Sequence, residues 1–110
     1  MDALVISGIA IAAEHPAFAG HFPGRPMLPG VALVAEVLEA ASADPTLAGA
    51  IGAAPQISVV KFLAPVLPGA LLEIAFEIAE RTVAFSVSDR DRPAATGQFA
   101  RVERAPGTAR

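Results

Sequence analysis

The sequence predicts an α+β fold, in which one antiparallel sheet of about five to six strands wraps around a single central buried helix. Residues 72–79 and 82–88 indicate the sheet, because apolar side chains there alternate with small, polar or charged ones at a period of two. Residues 31–41 indicate the helix, since they lack glycine and proline and their apolar side chains recur at helical spacing. This helix is apolar on nearly all faces, so we expect it to be buried.

The first half of the chain contains one predicted strand and a long loop. Residues 3–13 are rich in valine and isoleucine and predict a strand, with Gly8 as a candidate β-bulge. Residues 14–30 contain four prolines and three glycines, which exclude a continuous helix or strand. The predicted helix follows and ends at Asp44-Pro45, and residues 46–55 form a small connection rich in glycine and alanine.

The second half predicts a meander of about four strands. Residues 56–64 form the first, and the two alternating segments follow, joined as a hairpin by Glu80-Arg81. A charged turn over residues 89–93 leads into the last strand over residues 94–103. We therefore assign residues 1–105 to one domain and residues 106–110 to a disordered tail.

Composition restricts the classes of function. A chain of 110 residues fits one domain, and its small size favours an oligomer that completes the core. A net charge of −3 disfavours nucleic acid as the main partner. The absence of cysteine excludes disulfides, thiolate metal sites and cysteine nucleophiles, and no paired metal-ligand or nucleotide motif is present. No apolar run approaches the roughly 20 residues of a membrane span, and the N-terminus lacks a basic leader segment, so we expect a cytoplasmic protein.

Two motifs carry a family resemblance. Residues 20–30 read GHFPGRPMLPG and closely resemble the GHFPxxPxxPG signature of the β-hydroxyacyl-acyl-carrier-protein dehydratases. Residues 61–69 read KFLAPVLPG and resemble the second signature of that family, FxxPVxPG. Residues 15–19, HPAFA, lie where the family has the lead-in to its catalytic histidine. The resemblance extends in order and spacing over residues 3–104.

The resemblance implies a hotdog fold, an obligate dimer and a tunnel at the dimer interface. The tunnel would hold an acyl chain carried on the phosphopantetheine of acyl carrier protein or coenzyme A, with no other cofactor and no metal. The implied reaction removes water from a (3R)-3-hydroxyacyl thioester in fatty-acid or polyketide-type lipid biosynthesis. The residues implied to line the substrate site are Phe22, Met27, Pro29, Val31, Ala35, Lys61 and Phe62.

Such a dehydration needs a base, a donor to the carbonyl oxygen and an acid. His21 suits the base, since an unperturbed imidazole titrates near neutrality and the surrounding prolines stiffen its loop. Gly30 begins the predicted helix, where its N–H is free and no Cβ obstructs approach. By resemblance, Gly30 donates to the thioester carbonyl and the carbonyl of Met27 orients the His21 ring. A donor of this kind is worth about 3–4 kcal/mol in the transition state.

The acid is where this sequence departs from the family. The family has Asp or Glu fourteen residues after the histidine, and that position is Ala35 here. Glu36 is one residue further on and points about 100° away, whereas Glu39 lies one turn along on nearly the same face. Both are candidates for a substitute acid, and both also fit an ordinary polar side of the helix.

Three functions stay open at this point. The first is a dehydratase that uses Glu39 or Glu36. The second is a catalytically impaired subunit that binds acyl carrier protein or pairs with an active homologue, because histidine and acid come from different chains of a hotdog dimer. The third is an acyl thioesterase, which the HFP motif disfavours.

Several other polar residues have weaker functional interpretations. His15 fits a marker of the turn into the loop. Lys61 and Arg25 are candidates for contacting the carrier, although such side chains more often serve as solvated surface. Arg101 and Arg104 could face an acidic carrier protein or simply protect an edge strand.

Overall fold

The computed structural model describes residues 2–18 and 27–102. The described chain contains five strands and two α-helices, which confirms the predicted α+β class. The elements are β1 (Asp2–Ala10), a 3₁₀ turn (Pro16–Phe18), α1 (Gly30–Ala43), α2 (Pro45–Ile51), β2 (Ile57–Phe62), β3 (Leu71–Ile78), β4 (Thr82–Asp89) and β5 (Arg92–Ala100). The last strand ends at Ala100, so the predicted strand was too long by residues 101–102, while residue 103 and the predicted tail lie outside the described residues.

All five strands form one antiparallel sheet in the order β1-β3-β4-β5-β2. Strands β3, β4 and β5 form the consecutive part of the predicted meander. The prediction that β2 also belongs to the meander is wrong, because β2 pairs with β5 at the edge of the sheet. Residues 63–70 then cross from one edge to the other: Leu63 N–H donates to Ala94 O at 2.8 Å, and Gly69 N–H donates to Ile11 O at 2.8 Å.

The hydrophobic core lies between α1 and one face of the sheet. Every second residue of β3 is buried, from Leu72 to Ile78, as the period of two predicts. Helix α1 contributes a buried stripe to the same core, made of Leu33, Val37 and Ala41. In the single chain, the opposite side of α1 is exposed, and Val31 retains 80% of its accessible surface.

Two local predictions are confirmed. The pairing of β1 with β3 shifts register between Ile6 and Ile9, and Gly8 between them has a φ of 77°, so the bulge is real. The hairpin between β3 and β4 pairs Ile78 with Val83, and Ala79 N–H donates to Thr82 O at 2.8 Å.

Helix α2 is a second, short helix, most of which lies within the predicted connection over residues 46–55. Asp44 ends α1 but also caps α2, since its Oδ2 accepts from Leu47 N–H at 2.9 Å. Pro45 occupies the first turn, where its missing N–H is harmless. Leu47 and Ile51 are buried and fasten the helix to the core. Neither described α-helix has the length and unbroken apolar sequence that crossing a membrane requires.

Candidate active site

A groove of about 430 Å³ lies at the N-terminal end of α1. We call it the glycine groove. Its lining residues are Met27, Leu28, Pro29, Gly30, Leu33, Phe62, Leu63, Ala64, Pro65 and Val66. None of these side chains carries a charge, so the groove suits an apolar chain and offers polar atoms only from the backbone.

The glycine groove forms where the two proline-rich motifs meet. Leu28 N–H donates to Val66 O at 2.7 Å, and both side chains are buried. This bond fastens the end of the first motif to the middle of the second. Pro29 then serves as the N-cap of α1, with φ −59° and ψ 148°, and turns the chain into the helix at Gly30. The motifs are 31 or more residues apart in sequence and become one site only through folding.

Gly30 presents a backbone donor to the groove. Pro29 O accepts from Ala32 N–H at 2.9 Å and from Leu33 N–H at 3.1 Å. Within residues 2–18 and 27–102, the Gly30 N–H donates to no acceptor, and no side chain caps this end of α1. The first N–H groups of a helix carry a partial positive charge. Gly30 can therefore donate to the oxygen of a bound carbonyl group.

The Phe62 ring lies directly against Gly30. A Cβ built on Gly30 would lie 2.6 Å from Phe62 Cζ, closer than side chains approach. Phe62 itself is half-exposed at the end of β2. The ring thus packs against the Cα of Gly30 and forms one wall of the groove, so any side chain at residue 30 would displace it.

The helix face that bears the family's acid position is exposed in the single chain. Val31, Ala35 and Glu39 lie four residues apart on one stripe of α1, opposite the buried stripe. None of the three lines the glycine groove. At Ala35 this exposed stripe therefore has only a methyl group where the family has its acid. Val31 lies one turn before it and Glu39 one turn after it.

A second groove, of about 400 Å³, lies beside the middle and end of α1. We call it the acidic groove. Its lining residues are Ile6, Ile9, Glu36, Glu39, Ala40, Ala43 and Asp44. Glu36 Oε2 lies 3.3 Å from His15 Nε2, and Asp44 caps α2. Within the described ranges, Glu39 makes no side-chain hydrogen bond, so its carboxylate is the one that remains available for chemistry.

The structure brings together part of the predicted site. Met27, Pro29, Gly30 and Phe62 meet in the glycine groove, whereas Glu36 and Glu39 lie in the acidic groove. Lys61 precedes Phe62 on β2 and points to the opposite face of the sheet, so it does not line the glycine groove. Predictions for His21, Phe22 and Arg25 fall on residues outside the described ranges.

Sequence reasoning missed two features of this region. Leu63, Ala64, Pro65 and Val66 line the glycine groove, and their position inside the second motif was the available signal. The contact of His15 with Glu36 had no such signal, because 21 residues separate the two. Arg101, a candidate for carrier binding, donates from Nη1 to Ala79 O at 2.7 Å and so fastens the chain after β5 to the β3–β4 hairpin.

Comparison with known proteins agrees with this geometry. Residues 2–98 match the family model of the ApeI-like dehydratases. Two curated relatives are 3-hydroxyacyl-acyl-carrier-protein dehydratases FabZ. The one from Zymomonas mobilis is 36% identical over 78 residues, which cover 66% of this chain and 49% of the relative. The one from an Anaeromyxobacter species is 36% identical over 81 residues, which cover 66% of this chain and 51% of the relative. The chain spans about half the length of the curated relatives it matches.

Solved structures show the same fold. The dehydratase heterocomplex ApeI:P from Xenorhabdus doucetiae superposes with a TM-score of 0.73 at 26% identity, over 92% of this chain and 88% of that one. An uncharacterized protein from Erwinia carotovora subsp. atroseptica gives a TM-score of 0.65 at 27% identity, over 91% and 81% of the two chains. A fluoroacetyl-CoA-specific thioesterase, at 12% identity, shares the fold alone. By sequence and structure together, this chain belongs to the ApeI-like dehydratase family and has a hotdog fold.

Proposed function

We propose that this protein removes water from 3-hydroxyacyl thioesters carried on the phosphopantetheine of acyl carrier protein or coenzyme A. The single observation that carries the proposal is the glycine groove, in which an available backbone N–H lies at the end of an apolar surface. The thioester carbonyl oxygen accepts from Gly30 N–H, and the acyl chain follows the apolar lining. Membership of a dehydratase family supports this reaction over others that a hotdog domain performs.

The proposed chemistry is an elimination across C2 and C3 of the acyl chain. His21 removes a proton from C2, and the electron pair forms the C2–C3 double bond as the C3–O bond breaks. The departing hydroxyl takes a proton from an acid and leaves as water. Gly30 stabilises the charge that develops on the thioester oxygen, an interaction that strengthens in the transition state. The Met27 carbonyl orients the His21 ring in this proposal.

Glu39 is the proposed acid, and it acts from a second chain. Glu39 lies nine positions after Gly30, about 13 Å further along the helix axis, so the two are too far apart to reach one C2–C3 unit. A homodimer overcomes this distance if the helix of one chain faces the glycine groove of the other. Support for such a dimer comes from the exposed apolar residues Val31, Val59 and Phe62 and from the unpaired edge of β2. Lys61, exposed on that edge strand, is a proposed contact for the carrier.

A second candidate function is that of a subunit whose partner supplies the acid. Ala35 favours it, because alanine cannot protonate the leaving hydroxyl, and the solved ApeI:P relative is itself a heterocomplex. In this case the chain contributes the glycine groove and His21, and a related dehydratase contributes the carboxylate. The thioesterase alternative has no comparable support, since the thioesterase structures share only the fold.

The proposal is tested by assaying the purified protein with 3-hydroxyacyl thioesters of several chain lengths, on both carriers. We expect enoyl thioester to form and His21→Ala to lower kcat by about 10²- to 10⁴-fold. Glu77→Gln, on the exposed side of β3, is the matched surface control and should change nothing. Full activity of His21→Ala would refute the proposed base, and release of free thiol without enoyl product would indicate a thioesterase.

The same assay separates the two candidate functions. If the homodimer has no activity and Ala35→Glu confers it, the subunit function is supported, because only the acid was missing. Activity of the unmodified homodimer excludes that function.

A further inference from the structure

The chain just before residue 19 is fastened to the middle of α1. His15 Nε2 lies 3.3 Å from Glu36 Oε2, and both side chains are partly buried, with 26% and 21% of their surface exposed. The His15 ring also contacts the buried Phe18 edge to face, with centroids 6.1 Å apart at 77°. Two backbone hydrogen bonds stabilise the same segment: His15 N–H donates to Ala12 O and Phe18 N–H donates to His15 O, each at 3.0 Å. These contacts fix residues 15–18 as one unit against the helix.

This attachment lies at one end of the segment that carries His21. The other end is fixed at Leu28, through the bond from its N–H to Val66 O and through its burial. His21 follows Phe18 by only three residues. The His15–Glu36 contact therefore sets where the chain enters the segment, while Leu28 sets where it leaves.

We propose that Glu36 is a positioning residue, which acts through His15 to hold the entry of the His21 segment at a fixed place on α1. This inference rests on the proposed function, because it concerns the placement of the base in that reaction. It also reassigns Glu36, which the sequence alone left as a candidate acid. Because the Glu36 carboxylate already contacts His15, Glu39 stays the proposed acid.

The physical reason for a positioning role is the directionality of the contact. A hydrogen bond to a carboxylate constrains both distance and orientation, whereas a partly exposed contact of this kind adds little to overall stability. The contact also joins the chain that follows β1 to the middle of α1 across 21 residues of sequence. Its loss should thus misplace the following residues without unfolding the domain.

The test compares variants that separate positioning from proton donation. Glu36→Gln keeps an acceptor oxygen for His15 but has no proton to give, while Glu36→Ala removes both. We expect Glu36→Gln to keep kcat within about threefold of the original protein. Glu36→Ala and His15→Ala should each lower kcat by about tenfold with little change in KM, since small displacements of reacting groups carry losses of this order or larger. The double variant His15→Ala/Glu36→Ala should be no worse than either single one.

Amide hydrogen exchange gives a readout that is independent of activity. We expect exchange of the Phe18 N–H to accelerate by about tenfold in His15→Ala and Glu36→Ala but not in Glu36→Gln or the control Glu77→Gln. Exchange in β3 and β4 should stay unchanged in all of them, which shows that the domain remains folded. Unchanged exchange at Phe18 in both alanine variants overturns the positioning role.

Activity gives the second way to overturn it. If Glu36→Gln loses as much activity as Glu36→Ala while His15→Ala stays near the original rate, then Glu36 is the acid itself. If the original protein turns over no thioester, the proposed function fails, and the exchange result alone decides whether the pair positions the segment.

Discussion

The two grooves beside α1 are similar in volume, about 430 and 400 Å³, but opposite in chemistry. The described lining of the glycine groove has no charged side chain, and its functional atom is a backbone N–H. The acidic groove is lined by three carboxyl groups, from Glu36, Glu39 and Asp44. One helix thus provides a binding surface at its first turn and a row of carboxylates further along.

The availability of a backbone donor follows from the fold, whereas the role of a side chain depends on the contacts that it makes. The Gly30 N–H has its direction set by the helix, so its availability follows from the fold alone. The three carboxylates look alike in sequence, yet their contacts divide them: Glu36 meets His15, Asp44 caps α2, and Glu39 makes no side-chain hydrogen bond within the described ranges. The three carboxylates of the acidic groove therefore do not share one role.

Between the two grooves, the largest expected effect comes from removing the donor of the glycine groove. In a Phe62→Ala background, where residue 30 has room for a side chain, Gly30→Pro deletes the N–H while Gly30→Ala keeps it. Proline fits the first position of a helix, and the φ and ψ of Pro29 suit a residue that precedes proline. We expect kcat/KM of the proline variant to fall about 10²- to 10³-fold below that of the alanine variant.

Circular dichroism and the thermal midpoint serve as controls for this pair, and both should match between the two variants. Equal activity of the proline and alanine variants would show that the glycine groove binds its ligand without this donor. The proposal that the glycine groove acts through a backbone donor would then be wrong.

An intermediate effect on kcat is expected from substitution of Glu39 in the acidic groove. Glu39→Gln removes the proposed acid while keeping shape, and we expect kcat to fall about 10²-fold, within the range of general acid catalysis. Stability should change by less than about 0.5 kcal/mol, because the side chain is exposed. Single-turnover assays against the Glu77→Gln control measure this directly. A rate within twofold of the control would make Glu39 an ordinary surface residue.

The smallest effect is expected at Asp44, which shares the acidic groove but has a structural contact. Asp44→Ala should lower the free energy of unfolding by about 1 kcal/mol through loss of the cap on α2, with kcat unchanged. Asp44→Asn keeps an acceptor for Leu47 N–H and should retain most of that stability. Urea denaturation measures both variants. A drop in kcat without a drop in stability would instead place Asp44 in the reaction.

The sequence by itself determined the local elements and the family. The period of two in β3 and β4, the bulge at Gly8 and the start of α1 at Gly30 all follow from residue type and short spacing. Helix α2 was within reach of the same reasoning, because Asp44 followed by Pro45 is a common way to begin a helix. The two motifs predicted His21 and Gly30 as functional residues, and both assignments stay predictions.

Only the tertiary structure decided which of these residues meet. The pairing of β2 with β5, the Phe62 ring against Gly30 and the contact of His15 with Glu36 each join positions more than 20 residues apart. Periodicity indicates on which face of its own helix or strand a residue lies, but not which distant element packs against that face. That choice depends on how residues 63–70 cross the sheet and on the shared core, so it exists only in the folded chain.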